Sequence, residues 1–366
     1  MLLLALASCK PGGAPVAPTD PAPPREPVSR QQQQPLADGE PTDAISPGDR
    51  RILDGGIAAM EAGDFERARL VFSGVLDRYP GNVEVERLHE EALAGIAEQR
   101  DRASALRPHR MTPTAFRRHA VRDASIQQRA RPPKLVEVEK RRNEIIDDER
   151  WFADNGLRMP EWEVPVPHAG RTGSLPSAIP KTLGETPIVR AIQDEDHAIA
   201  LYAEDFSGGR FVVVLDETWR VVGAFDFSPW SRSPKDRAAD ADFTEQRVNW
   251  ALVREGVLFV ATGHNTYAKS SGGLNAFITA IELETGEVLW RSDPLVANAR
   301  NFLYEDGYII TGYGFTAEPD FMYVLDAKTG ETVSKTKVKS GPSYILKKGQ
   351  QLLVRTYDTN YVFEIR

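Results

Sequence analysis

Two segments near the C-terminal end of this 366-residue chain repeat one another, and that repetition constrains the fold more than any other feature. The first runs Phe277-Ile-Thr-Ala-Ile-Glu-Leu-Glu-Thr-Gly-Glu-Val-Leu-Trp290. The second, 44 residues further on, runs Phe321-Met-Tyr-Val-Leu-Asp-Ala-Lys-Thr-Gly-Glu-Thr-Val-Ser334. Each reads as a strand, a tight turn at Thr-Gly and a second strand. Glycine suits the turn because it adopts positive φ without strain. A degenerate third copy, Phe211 to Gly223, has a shorter turn that holds no glycine.

Further hairpins recur upstream of each copy. Asp194–Tyr202, Arg254–Thr262, Glu305–Tyr313 and Lys347–Thr356 each place a polar turn before an apolar strand. Strands at Ile188–Ile192, Val248–Val253, Asn301–Tyr304 and Ser343–Leu346 precede them. Four strands per repeat, all β, is the period of propeller blades. We therefore expect a mainly β, propeller-like C-terminal domain over 161–366, with about four blades of four antiparallel strands, at about 187–227, 247–292, 298–339 and 341–366. The last repeat ends after its third strand. The expected donor of the fourth is Trp162-Glu-Val-Pro-Val-Pro167, although its prolines confine it to a sheet edge. Four blades are consistent with a small closed ring, an open arc, or half of a ring completed by a homodimer.

The motif Ala/Leu-Asp/Glu-x-x-Thr-Gly-Glu-x-x-Trp, best at Ile281–Trp290 and fair at Leu325–Ser334, resembles the blade repeat of pyrroloquinoline-quinone-type (PQQ-like) propellers; Leu-Asp-x-x-Thr-Gly also occurs in WD40-like ones. Some members of that family bind the quinone with a calcium-type metal, an aspartate base and often a vicinal disulfide. The single cysteine of this chain is Cys9, so the disulfide is absent. The metal ligands match no residues here, and we expect no cofactor.

From Asp49 the apolar spacing becomes helical. Gly56, Ala59, Gly63, Phe65, Ala68, Phe72, Val75 and Pro80 define two antiparallel helices with a turn at Gly63-Asp64. Phe72 is expected to fill the groove left by the small residues, and Pro80 to follow the second helix. Asn82 to Arg100 supplies a third, with Val85, Leu88, Leu93 and Ile96 on one side. The phrase Phe65-Glu-Arg-Ala-Arg-Leu-Val-Phe72 with Tyr79-Pro80 resembles a tetratricopeptide repeat, which gives an α-helical N-terminal module at 49–100. One repeat does not bury its own apolar face, so it is expected to pack on the rest of the chain or on a partner.

Residues 101–160 form a basic connector. From Arg100 to Arg158 there are 15 Lys and Arg against 9 Asp and Glu, although the whole chain carries −8. Pro132-Pro133 interrupts it. Lys134 to Phe152 then reads as a helix with Leu135, Val138, Ile145 and Phe152 about seven residues apart, a narrow seam for docking inside the chain. A solvated face is the first explanation of the charge; contact with an anionic polymer is the second. The overall acidity argues against nucleic acid as a partner.

The N-terminus reads Met1-Leu-Leu-Leu-Ala-Leu-Ala-Ser-Cys9. The apolar run is shorter than the roughly 20 residues a bilayer span needs. It has the character of a signal-peptide core ahead of a cut, over 1–8. Leu6-Ala7-Ser8-Cys9 resembles the bacterial lipobox, which implies lipidation of Cys9 and anchoring to a membrane. No Lys or Arg precedes the run, which points to a translation start upstream. Lys10, by resemblance to enterobacterial sorting, favours the outer membrane over other envelope locations; the protein would face the periplasm or the cell surface. Residues 9–48, rich in Pro, Ala and Gln, make a tether too poor in apolar surface to offset its ordering entropy. As a flexible coil it would span about 35 Å.

Catalytic signals are absent from the sequence. The six histidines, His89, His109, His119, His168, His197 and His264, show no metal-binding spacing. Asp240, Asp242 and Glu245 lack the glycine of a calcium loop. Two long loops, Phe227–Arg247 and Gly263–Ala276, carry Trp230 and Tyr267, the candidate interaction residues, with Trp230 equally able to pack down on its own blade. The expectation is a non-enzymatic envelope lipoprotein that serves as a protein-binding scaffold, similar to the propeller lipoprotein of the outer-membrane β-barrel assembly machinery. Two alternatives stand beside it: a quinoprotein-like or carbohydrate-active enzyme, with carboxylates at the channel mouth, and a cell-wall-binding or sensor lipoprotein.

Overall fold

The computed structural model describes residues 44–366 except 113–117, 130, 144–146, 167–172 and 206–207. Cys9, the signal-like run and most of the tether lie outside the described residues, as do His168 and Ile145.

Three helices open the described chain: α1 (Pro47–Glu61), α2 (Phe65–Leu76) and α3 (Val83–Ala105). Each begins on a side-chain cap. Ser46 Oγ accepts from the Asp49 amide, Asp64 from Arg67, and Asn82 Oδ1 from Val85. Leu53, Ala68, Phe72, Val75 and Val85 are fully buried between the helices. Gly56 is needed here, because a Cβ would lie 2.6 Å from the Phe72 ring. Leu93, expected on the buried side of α3, is 44% exposed; Ala92 takes the inner place.

The connector is not helical over most of its length. It contains β1 (His109–Arg110), β2 (His119–Ala120) and β3 (Leu135–Arg142), and only then α4 (Asp148–Asn155); β4 (Glu161–Trp162) and β5 (Thr182–Leu183) follow it. The expected helix from Lys134 to Phe152 is thus a strand followed by a two-turn helix. Leu135-Val-Glu-Val138 alternates as well as it spaces helically, and an open sheet edge decides between the two. Val138 is exposed rather than part of a seam.

The repeats form four separate sheets. The first holds β6 (Thr186–Asp194), β7 (His197–Tyr202), β8 (Phe211–Asp216) and β9 (Val221–Asp226). The second holds β10 (Arg247–Arg254), β11 (Val257–Gly263), β12 (Phe277–Glu282) and β13 (Val288–Arg291). The third holds β14 (Leu303–Glu305), β15 (Tyr308–Tyr313), β16 (Phe321–Asp326) and β17 (Thr332–Lys337). The fourth holds β18 (Pro342–Lys348), β19 (Gln351–Thr356) and β20 (Thr359–Ile365). Each runs as an antiparallel meander, the propeller-blade arrangement.

The fourth strand of the last blade is β3, paired along its length with β20 from Leu135 opposite Ile365 to Arg142 opposite Thr359. The proline-bearing candidate goes elsewhere: Glu161 and Trp162 pair with Ile192 and Ala191 at the inner edge of the first blade. Prolines leave that segment too few amide donors for a full outer strand, whereas β3 has none.

The connector belts the blades as it passes. β1 lies parallel on β9, and β2 lies antiparallel on β13. The chain then crosses the turn end of the third blade, where the Ala124 amide donates to the Lys328 carbonyl and that of Arg129 to Asp306, before becoming the outer strand of the fourth. Its arginines face acidic turn residues: Arg122 reaches Glu282 at 2.5 Å, and Arg118 pairs with Glu331.

The repeat motif joins one blade to the next. Trp290, wholly buried, donates from Nε1 to the Ala327 carbonyl at 3.1 Å. Its ring lies against Gly330, where a Cβ would sit 2.4 Å away. Gly330 and Gly286 hold the left-handed turn conformation, at φ 74° and 73°; in the degenerate copy Trp219 adopts it, at 62°. One apolar cluster joins Ile199, Phe259 and Ile309 of the first three blades, and a second joins Ile310 and Ile345 of the third and fourth. At the junction of fourth and first, α4 lays Trp151 on Tyr344, Leu346 and Leu353, and Met159 packs on this group and on the Ile192 cluster.

Candidate functional site

Inner strands and loops of all four blades line a single cavity of about 700 Å³. The bulge in β6 between Ile188 and Arg190 places Arg190 in its wall. The Arg190 guanidinium donates to Glu161 Oε1 at 3.0 Å and to the Arg300 carbonyl at 3.3 Å. It also lies 5.8 Å from the Trp250 ring centre. Burial raises the Glu161 carboxyl above its usual range despite the attraction of Arg190 and Arg300.

On the third blade, the Asn298 side chain clamps Gly314, donating to its carbonyl at 2.8 Å and accepting from its amide at 3.1 Å. A Cβ on Gly314 would collide with Asp320 and with the Gly341 backbone. This close approach sets Asp320 at the mouth. Desolvation, then repulsion from Asp358 and Glu318, pushes its carboxyl up to about 6. Asp358 moves the other way, to about 2, held by Lys339 at 2.8 Å and by the Ser340 hydroxyl at 2.6 Å. Glu318 joins two blades: it accepts from the Ala268 amide at 2.9 Å and from the Tyr313 hydroxyl.

Aromatic side chains stand around this mouth. Tyr267, 38% exposed, meets Phe315 edge-on at 5.0 Å. Tyr357, 87% exposed, stands on the β19–β20 turn. Asn249 and Asn265 add amide groups from the second blade. The wall is therefore polar rather than filled with Val, Leu and Phe.

The two sequence candidates separate. Tyr267 lies beside the cavity, packed on its lining residue Phe315. Trp230 is not a surface anchor: it is buried, donates to the Thr112 carbonyl at 3.1 Å, and lies under the Arg291 guanidinium at 4.5 Å. Arg291, with no exposed surface, also lies 4.0 Å from the Phe277 ring, and burial lowers its pKa to about 9. A large aromatic surface gains more by covering this cation than by facing water. His264 is likewise internal. Its Nε2 lies 2.8 Å from Ser271 Oγ, and the Asn275 side chain, across the loop, accepts from the His264 amide and donates to the His264 carbonyl. Burial pushes the imidazole down to about 4, so it is neutral and closes the Gly263–Ala276 loop. Arg190, Asp320 and Tyr357 carried no sequence signal beyond their places beside predicted hairpins. Among the described residues, no group of three His, Cys, Asp or Glu side chains is gathered to hold a metal ion.

No family model matches the chain. No curated protein matches it either. Among solved structures, similarity is found to the computationally designed Ika4 protein, at 12% identity over 50% of this chain and 93% of that one, TM-score 0.31. It is also found to BamB from Moraxella catarrhalis, at 13% identity over 63% of this chain and 98% of that one, TM-score 0.26. Dihydro-heme d1 dehydrogenase NirN gives 14% over 56% of this chain, TM-score 0.34, and the chain spans only 40% of it. At these scores the likenesses decide nothing about function. The propeller-like assignment rests on the four meandering sheets and their shared cavity.

Proposed function

We propose that the protein is a cell-envelope lipoprotein that acts as a protein-binding scaffold. The observation that carries this reading is the mouth, where loops of separate blades hold Phe315 and Tyr357 at a polar wall and Tyr267 packs on Phe315 beside them. Exposed tyrosines on a rigid support lose little entropy on binding and make effective anchors. The Leu6-Ala7-Ser8-Cys9 sequence supports lipidation of Cys9, with the outer membrane favoured and a tether that lets the folded part reach a partner. The tetratricopeptide-like helices would add a second contact surface, and the PQQ-like repeats would serve as framework. The test is capture of partners from detergent-solubilised envelope by the wild-type chain and by Tyr267→Ala/Tyr357→Ala. Loss of a stoichiometric partner from the variant supports the reading; recovery of no partner by the wild type counts against it.

A second reading, an enzyme acting on a polar ligand such as a carbohydrate, draws on the gathering of Glu318, Asp320 and Asp358 beside the cavity. A carboxyl held near pH 6 has the acidity of a general acid or base. Turnover of polymeric sugars that Asp320→Asn abolishes would favour it. Binding to an anionic wall polymer is less well supported, because Arg118 and Arg122 already face blade carboxylates.

A further inference from the structure

The outer edges of the four blades are treated unequally. β9 is covered by β1, β13 by β2, and β20 by β3. The third sheet ends at β17, with no further strand among the described residues. The connector passes this blade at its turn end, through Lys328, Asp306 and Gly307, and not along its edge. Thr332 to Lys337 is exposed at every position except the half-buried Thr336. Sequence explains part of the difference. Ser334 stands where the second blade has Trp290, the residue that docks on the next blade's Thr-Gly turn.

We propose that β17 is a binding site for an extended acidic segment of a partner protein, which adds a fifth strand to the third blade. This rests on the scaffold reading and names the chemistry of one of its contacts. An open strand edge offers unpaired amide and carbonyl groups, and strand addition satisfies them while alternate side chains give specificity. Lys335 and Lys337 lie two residues apart and so share one face, opposite Tyr323 and Phe321 of β16. Lys335 Nζ is 5.0 Å from the Phe321 ring centre. Neither lysine has a carboxylate within ion-pair distance among the described residues, although Lys337 is near enough to Asp320 to attract it weakly; the neighbouring Lys339 is bound to Asp358 and Glu331 to Arg118. Carboxylates at alternate positions of an incoming strand would meet these two ammonium groups across the ladder. The same lysines disfavour a second copy of this chain, because pairing β17 with itself brings like charges together.

The test uses the full chain and a fluorescent peptide of alternating Glu and Thr. Its comparators are the same peptide with backbone N-methyl groups on its pairing amides, and one with Lys for Glu. Expected are binding of the Glu peptide, loss of binding on N-methylation, and about tenfold weakening by Lys335→Glu/Lys337→Glu. Amide exchange of residues 332–337 is expected to slow on binding. No binding at millimolar peptide, equal binding of the N-methylated form, or equal binding of the Lys peptide overturns the proposal. So does protection of 332–337 in the free chain that either dilution or deletion of residues 1–43 removes, since a second copy or the chain itself would then occupy the edge. Both substitutions are at exposed positions, and an unchanged circular dichroism spectrum confirms the fold. The scaffold reading is judged separately: partner capture by the wild type with no effect of the lysine variant leaves it standing and removes this edge from it.

Discussion

Gly330→Ala isolates the contact that holds the second and third blades together. Two penalties act at this position. The backbone sits at φ 74°, where an L side chain costs about 1–2 kcal/mol. The new methyl would also lie 2.4 Å from the buried Trp290 ring, an overpacking worth about 1–3 kcal/mol. The single substitution should therefore destabilise by about 3 kcal/mol. Trp290→Ala alone removes a fully buried indole and its bond to the Ala327 carbonyl, for about 3–5 kcal/mol. In the Trp290→Ala background the methyl enters the vacated space, and only the backbone penalty remains. The two changes should fall short of additivity by about 1–3 kcal/mol. Urea unfolding of the four chains measures this through the midpoints, given an unchanged slope. Additivity to within about 0.5 kcal/mol would refute the claim that the motif's tryptophan and the next blade's turn glycine form one joint.

Other consequences can be measured as directly. Val136→Pro in β3 should raise amide exchange in β20 at the end of the ladder near Glu364, because proline removes the amide from the paired strand that completes the fourth blade. The Asp320 carboxyl, raised from 3.8 to about 6, binds its proton more tightly in the folded chain; the stability it contributes is full below pH 4 and is lost as pH rises through 6. Asp320→Asn should flatten that part of the pH profile and leave the chain more stable at pH 7. His264, lowered from 6.5 to about 4, acts in the opposite sense, with stability present above pH 6.5 and lost as pH falls towards 4; His264→Gln should remove that acid-side loss in thermal melts across the range. Tyr357→Ala should leave the unfolding midpoint within about 0.5 kcal/mol of wild type, since the ring is 87% exposed, and any loss of partner binding would then belong to the surface.

Much of the fold was legible because it is made of short-range patterns. The period-2 strands, the Thr-Gly turns and the 44-residue offset define three blades and most of a fourth within contiguous sequence. The helical hairpin was equally local, with Gly56 and Phe72 paired as their sizes required. The connector was not legible. Leu135 to Arg142 fits a strand or a helix, and its choice depends on the vacant edge of β20, more than 200 residues away in sequence. The mouth was poorly legible for the same reason. Tyr267 was singled out by the length of its loop, whereas for Trp230 the sequence left surface and interior equally open, because Arg291, the charge it covers, lies in a different strand. Arg190, Asp320 and Tyr357 become neighbours only when four blades meet.

The sequence by itself determined the elements: which residues make strands, where the chain turns, and that similar units recur. It did so because alternation, glycine placement and helix capping are properties of a few consecutive residues. Tertiary structure alone decided how the units were joined and finished. A distant strand completes the last blade, the connector covers two other edges, and the edge of β17 stays open. Those outcomes depend on competition among backbone groups far apart in the chain, for which no local pattern carries the answer.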